Sequence, residues 1–129
     1  EPQRQEAMRK SVTTQRYKAV LTVALRNLKR AVDAGLLVAM GTDAGAFANR
    51  FQGYFEHVEM GMMAEAGLTP SQILRSATVD AARAMRVEGI GSITKGAWAD
   101  FVVLERDPLK DIRNTRSVAS VWIAGNQVK

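Results

Sequence analysis

The sequence has no cysteine and only one histidine, His57. Without cysteine the chain can form neither a disulfide framework nor a thiolate zinc site. No apolar run approaches the roughly 20 residues that a membrane span needs, so we expect no membrane partner. The first residues, 1–5, are polar, lack an initiating Met and lead into no apolar signal core. We therefore expect a cytoplasmic chain that is either processed or part of a longer protein.

Aromatic residues are also scarce, at 6% of the chain. A surface that binds single-stranded nucleic acid needs aromatic side chains on which bases stack, and the few here are scattered. The net charge of +5 would suit an acidic partner, but the first basic cluster lies on a helical pattern and is better explained as its solvated face. We predict no nucleic-acid partner; salt-sensitive DNA binding would reveal the alternative.

The hydrophobic and charged fractions, 47% and 24%, are those of a soluble globular protein. Apolar spacing predicts a helix over 15–34 that ends at Gly35. The next residues, 36–40, are apolar without alternation, as in a strand covered on both faces. The remaining pattern predicts helices over 54–66 and 79–85 and strands over 101–104, 118–123 and 127–128. Between the two helices, Thr69 is predicted to cap a further helix, with Pro70 at its first position and Gln72 closing a capping box. Residues 1–87 thus have an α/β pattern, and residues 88–129 the pattern of a small all-β unit.

Asp43 follows the predicted strand directly. In α/β folds, ligands bind and catalytic groups lie at the C-terminal ends of the strands. The small neighbours Gly41, Ala44 and Gly45 allow a ligand to approach the backbone closely. A carboxylate there can bind a divalent metal or accept a proton from metal-bound water. The alternative is that Asp43 only caps the following loop through an Asx-turn.

Several short blocks follow one another in an order that resembles the end of a metal-dependent amidohydrolase. Within that superfamily the resemblance is to the imidazolonepropionase-like and prolidase-like branch, and it covers 15–129. Its blocks are Gly41-Thr42-Asp43-Ala44-Gly45, His57-Val58-Glu59-Met60, Glu65-Ala66-Gly67-Leu68-Thr69-Pro70, Ala77-Thr78-Val79-Asp80-Ala81-Ala82-Arg83, Ile90-Gly91-Ser92-Ile93-Thr94-Lys95-Gly96, Ala99-Asp100-Phe101-Val102-Val103-Leu104 and Val121-Trp122-Ile123-Ala124-Gly125-Asn126.

This resemblance implies the C-terminal piece of a (β/α)8 barrel, residues 1–87, joined to strands of a β-sandwich, residues 88–129. Residues 36–40 would be the eighth barrel strand. Asp43 would be both the metal-facing and the catalytic carboxylate, taking a proton from metal-bound water during hydrolysis of an amide-type C–N bond. The implied substrate is a small-molecule amide or a dipeptide, and the implied cofactor is a divalent metal, with zinc favoured.

The family's other metal ligands are missing from this sequence. The resemblance calls for a His-x-His pair, a bridging carboxylated Lys or a Glu, and two later histidines, whereas His57 is the single histidine. A catalytic zinc site needs three protein ligands. We therefore expect the chain alone to be inactive and to bind no metal.

Two further features have alternative explanations. His57 lies on a predicted helix, so we interpret it as a packing or hydrogen-bonding residue rather than a ligand. The loop after a barrel strand lines the pocket mouth, which makes Phe47, Asn49 and Arg50 candidate substrate-binding residues; the alternative is an ordinary surface loop.

A partial barrel exposes apolar surface and an unpaired strand edge. We therefore expect a homo-oligomer or association with the missing part of the barrel. An alternative of a different class is a non-catalytic assembly module that keeps a remnant of the fold. An upstream His-x-His motif in the coding sequence would favour the enzyme.

Overall fold

The computed structural model describes residues 2–46 and 51–128, apart from the side chains of Arg4, Met8 and Arg9. The elements are helices α1 (Pro2–Lys10), α2 (Val12–Asp33), α3 (Phe55–Glu65), α4 (Pro70–Ala77) and α5 (Val79–Met85), strand β1 (Phe101–Leu104), a 3₁₀ helix (Ile112–Arg116), and strands β2 (Val118–Ile123) and β3 (Asn126–Gln127). The predicted helices and the last three strands are present, with small shifts at their ends. Helix α1 was not predicted.

Helix α4 begins as its sequence predicts. The Thr69 hydroxyl accepts a hydrogen bond from the Gln72 backbone N–H at 3.3 Å, and the Gln72 side chain accepts one from the Thr69 N–H at 2.9 Å. This reciprocal pair satisfies two N–H groups that a helix start leaves unbonded, and Pro70 occupies a position where no N–H is required. The capping box therefore fixes where α4 starts.

The segment predicted as a buried strand, residues 36–40, is neither buried nor paired with a strand among the described residues. Those residues are extended, but no strand is assigned to them, and Leu36 and Leu37 are 63% and 50% exposed. Their backbone bonds to helix α4 instead: the Met40 N–H donates to the Ser76 carbonyl at 3.1 Å, and the Ser76 hydroxyl donates to the Val38 carbonyl at 2.8 Å. A strand requires a neighbouring strand, and the described part of the chain provides none beside this segment.

The three short strands form one antiparallel sheet in the order β1-β2-β3. Phe101 lies opposite Trp122, and their rings stack with centroids 5.5 Å apart. The register shifts between Val103 and Leu104, where strand β2 has one extra residue, Ala119. The three strands predicted after residue 88 are thus present and pair with one another, and the division of the chain into two units stays a prediction.

The core lies among the helices. Met63 from α3, Leu68, Ile73 from α4 and Ile112 from the 3₁₀ helix are buried together. Side chains packed against them include Leu28, Val32, Met40, Met60 and Leu74. This cluster attaches the end of α2, residue Met40 and the second half of α3 to one support. Among the described residues, no helix is long and apolar enough to cross a membrane.

Candidate functional site

Asp43 lies in a tight turn directly after the extended segment. Its φ is 54°, in the left-handed region, which Asp tolerates better than most residues because its short side chain is polar. The Thr42 hydroxyl accepts a hydrogen bond from the Ala44 N–H at 3.1 Å, and the Asp43 carbonyl accepts one from the Ala46 N–H at 3.3 Å. The side chain that closes the turn is therefore that of Thr42, and the Asp43 side chain is exposed.

Gly45 is needed by the same turn. Its φ is 89°, and a Cβ at this position would lie 2.6 Å from the Gln52 side-chain nitrogen. The positive φ strains any residue that has a side chain, whereas the Gln52 nitrogen is the end of a flexible side chain and can move aside. Gly45 thus allows the backbone to make the turn that begins at Asp43.

A second carboxylate, Glu56, reaches the turn from the first turn of helix α3. Its Oε1 atom lies 3.4 Å from the Thr42 hydroxyl, at the long end of hydrogen-bond geometry. Its Oε2 atom is buried and has no hydrogen-bond partner among the described residues. The Thr42 hydroxyl therefore contacts both the turn that carries Asp43 and helix α3.

His57 faces the 3₁₀ helix. Its Nδ1 atom is 3.0 Å from the Thr115 hydroxyl, which donates its single proton to the Ile112 carbonyl at 2.8 Å. Since that proton is already used, Nδ1 must be the donor, and neutral His57 carries its hydrogen on Nδ1. His57 is thus a hydrogen-bonding residue between two elements, in agreement with our interpretation.

The surroundings of His57 disfavour its charged form. Burial lowers the pKa of His57 below its usual value, the nearby Arg116 cation lowers it further, and the Glu56 carboxylate acts in the opposite direction. Arg116 also lies over the Tyr54 ring, with its guanidinium carbon 5.9 Å from the ring centroid. The start of α3 is therefore held against the 3₁₀ helix by the hydrogen bond between His57 and Thr115 and by the contact between Arg116 and Tyr54.

The structure places Asp43 in an exposed turn, and it brings together Thr42 and Glu56, which the sequence analysis did not single out. The only sequence signal for them was that Thr42 precedes Asp43 and that an acidic residue lies in the first turn of a predicted helix. Phe47, Asn49 and Arg50 lie outside the described residues.

A metal site requires several ligands close together. Within 2–46 and 51–128, no group of three or more His, Cys, Asp or Glu side chains could hold a metal ion. The described residues therefore do not fit a complete catalytic metal centre, and Asp43 can supply one carboxylate to it at most.

Comparison with known proteins shows the family to which the chain belongs. The sequence profile described as the amidohydrolase family matches residues 3–128. The imidazolonepropionase of Deinococcus deserti is 32% identical over 104 residues, covering 78% of this chain and 26% of that protein. The ochratoxinase of Aspergillus niger is 29% identical over 110 residues, covering 81% of this chain and 22% of that protein.

Solved structures agree. A molinate hydrolase superposes with a TM-score of 0.73 at 31% identity, over 80% of this chain and 26% of its own. A Xaa-Pro dipeptidase superposes with a TM-score of 0.70 at 29% identity, over 81% of this chain and 25% of its own. The chain thus spans about a quarter of the length of the relatives it matches. The ordered blocks, the mixed helix and strand architecture and these matches together place the chain in the amidohydrolase family.

Proposed function

We propose that this chain is the C-terminal part of a metal-dependent amidohydrolase that hydrolyses an amide-type C–N bond, and that Asp43 is its metal-facing general base. The observation that carries the proposal is the position of Asp43, exposed in a left-handed turn right after the extended segment of a chain that matches the family over residues 3–128. The names of its relatives, among them imidazolonepropionase and Xaa-Pro dipeptidase, support a small-molecule amide or a dipeptide as the substrate class.

The proposed architecture is a barrel end over 1–87 joined to sandwich strands over 88–129. In it, residues 36–40 pair with neighbouring strands supplied by the rest of the protein. Leu36 and Leu37 are 63% and 50% exposed in this chain. Pairing with those strands, and packing of helices against the sheet, would cover both side chains. The turn at Asp43 then lies at the C-terminal edge of a parallel sheet, where barrel enzymes bind substrate.

A divalent metal, zinc in our proposal, would supply activation of water. Asp43 contributes one carboxylate to that site, and the other ligands come from the remainder of the protein. The role of Asp43 itself is to accept a proton from the attacking water and to pass it to the leaving nitrogen. Phe47, Asn49 and Arg50 belong to the proposed substrate-binding loop, because they follow Asp43 directly in the chain. The chain by itself is proposed to be inactive.

The test uses the full-length protein that contains this chain. Asp43→Asn keeps the shape of the side chain but removes its basicity, so kcat should fall by about 10²–10⁴-fold, the usual contribution of general acid-base catalysis. Circular dichroism and thermal unfolding should stay unchanged.

Asp33→Asn is the matched control, since Asp33 forms an exposed ion pair with Lys29 on helix α2 and exposed pairs contribute little. Turnover of Asp33→Asn should equal that of the unmodified protein. Near-normal turnover by Asp43→Asn would exclude the proposed role.

A further inference from the structure

The turn that carries Asp43 needs outside support to keep its shape. A residue with a side chain is rarely found at a φ of 54°, and the extended segment before it is not held by neighbouring strands within the described residues. Two hydrogen bonds hold the turn: the Asp43 carbonyl accepts the Ala46 N–H at 3.3 Å, and the Thr42 hydroxyl accepts the Ala44 N–H at 3.1 Å, which makes the Thr42 hydroxyl the side-chain support of the turn. Any group that orients this hydroxyl therefore also sets the geometry of Asp43.

Glu56 is placed to orient it. A hydroxyl has one proton and two lone pairs, so a Thr42 O–H that points at the Glu56 Oε1 atom, 3.4 Å away, leaves a lone pair for the Ala44 N–H. Donation to a carboxylate also polarises the hydroxyl oxygen and strengthens it as an acceptor. The two hydrogen bonds support each other, and they link the loop to helix α3.

The buried Oε2 atom of Glu56 argues against a purely stabilising role. Its Oε2 atom is buried and has no hydrogen-bond partner among the described residues, and an unsatisfied buried oxygen destabilises a fold. An apolar side chain would avoid this cost. The carboxylate does lie in the first turn of α3, where the helix dipole favours negative charge, but a solvent-exposed carboxylate would gain the same benefit.

We propose that Glu56 is a positioning residue for Asp43, which it holds in place through the Thr42 hydroxyl. Glu56 matters for catalysis only if Asp43 is the general base, so this inference rests on the proposed function. The geometric link between Glu56 and the turn can be measured without any activity.

The experiment is nuclear magnetic resonance on this chain, with Glu56→Leu, Glu56→Ala and Glu56→Gln compared. In the unmodified chain Asp43 should show the strong contact between its own amide and α protons that a positive φ produces. Glu56→Leu should weaken this signal, and exchange of the Ala44 amide should become about fivefold faster, as expected for the loss of one ordinary hydrogen bond. Glu56→Gln keeps a carbonyl oxygen that can accept from Thr42, so it should retain both signals.

Glu65→Gln is the matched control, because Glu65 is exposed at the opposite end of the same helix. Glu56→Ala repeats the test if the leucine side chain prevents folding. The proposal is overturned if the Asp43 and Ala44 signals in Glu56→Leu and Glu56→Ala equal those in Glu65→Gln. It is equally overturned if Glu56→Gln disturbs the turn as much as Glu56→Ala does.

The outcome can be separated from that of the proposed function. If Glu56→Ala opens the turn while Asp43→Asn leaves turnover of the full-length protein intact, the positioning link stands and the catalytic role of Asp43 falls. If Asp43→Asn abolishes turnover while the Glu56 variants keep the turn, the positioning link falls alone. In the full-length protein, Glu56→Ala should lower kcat with little change in KM, and Glu56→Gln should restore it.

Discussion

His57 is the single histidine of the sequence, and its surroundings favour the neutral form. Burial and the Arg116 cation lower its pKa from the usual 6.5, while Glu56 partly offsets them. Protonation occurs at Nε2, because Nδ1 already carries the hydrogen that bonds to Thr115. The bond to Thr115 survives protonation, so the cost of charging His57 comes from burial and from Arg116.

We predict a decline in stability as the pH falls below about 6.5. The folded-state pKa of His57 is below its unfolded-state value, so between these two values the unfolded chain binds more protons than the folded chain. A falling pH therefore stabilises the unfolded chain relative to the folded one. The contribution of neutral His57 to the free energy of unfolding is complete above its unfolded-state pKa and is lost as the pH falls through its folded-state pKa. Urea unfolding between pH 7.5 and 5 measures it.

His57→Gln should remove the part of this slope that lies nearest pH 6.5, because glutamine does not titrate. Lys10→Gln is a control at an exposed pair with Glu6, and it should leave the slope unchanged. A slope that persists in His57→Gln would assign the effect to other groups.

The helix starts are the elements that short-range chemistry specifies best. Thr69, Pro70 and Gln72 fix the start of α4 through contacts within four residues, and the structure shows both halves of the capping box. Helix α4 also carries Ile73, which is fully buried. Loss of the cap should therefore weaken the packing of the core as well as the first helical turn.

Thr69→Ala is predicted to lower the free energy of unfolding by about 1 kcal/mol, the usual cost of removing a threonine cap. Thr69→Ser keeps the hydroxyl and should retain most of the stability. Urea unfolding at neutral pH compares the three proteins. An equal loss in both variants would show that the methyl group of Thr69, and not its hydroxyl, contributes the stability.

The extended segment over 36–40 behaves differently from the helices. Its apolar composition favours a covered strand, yet Leu36 and Leu37 remain exposed and Met40 bonds to helix α4. A strand is stable only when another strand supplies its hydrogen bonds, and no residue within the segment can do so. The apolar composition of the segment is therefore typical of a strand with neighbours on both sides, and the described part of this chain contains no such neighbours.

At the scale of the whole molecule, the exposed apolar surface is extensive for so small a protein. Tyr17, Val20 and Val23 on helix α2 are 71%, 58% and 45% exposed, and they are joined by Leu36 and Leu37. Apolar surface of this kind marks contact sites. The family relatives are about four times as long, since the chain covers 26% of one of them, so the proposed partner is the remainder of the barrel or a second copy of this chain.

We predict that the chain self-associates when its proposed barrel partner is absent. Light scattering over a range of concentrations should give a mass above that of one chain, and Leu36→Lys combined with Leu37→Lys should shift it toward the monomer because charge opposes burial. Ile93→Lys is the matched control, since Ile93 is 91% exposed in a different segment. A monomer at every concentration, or equal dissociation by the control, would contradict this prediction.

The sequence by itself determined the features that depend on neighbours along the chain. The helix over Val79–Met85, the strand over Phe101–Leu104, the cap at Thr69 and the family were all predicted correctly, because caps, turns and motif order are local properties. Asp43 was identified as a candidate from its place after an apolar run, and its catalytic role stays a prediction.

The tertiary structure alone decided which residues surround Asp43. Thr42 and Glu56 are 14 positions apart, and His57 and Thr115 are 58 apart, so no local pattern could have paired them. It also decided that residues 36–40 bond to a helix instead of a strand. Such contacts depend on how the helices pack around Met63 and Ile73, and the free energy of that packing comes from the whole core.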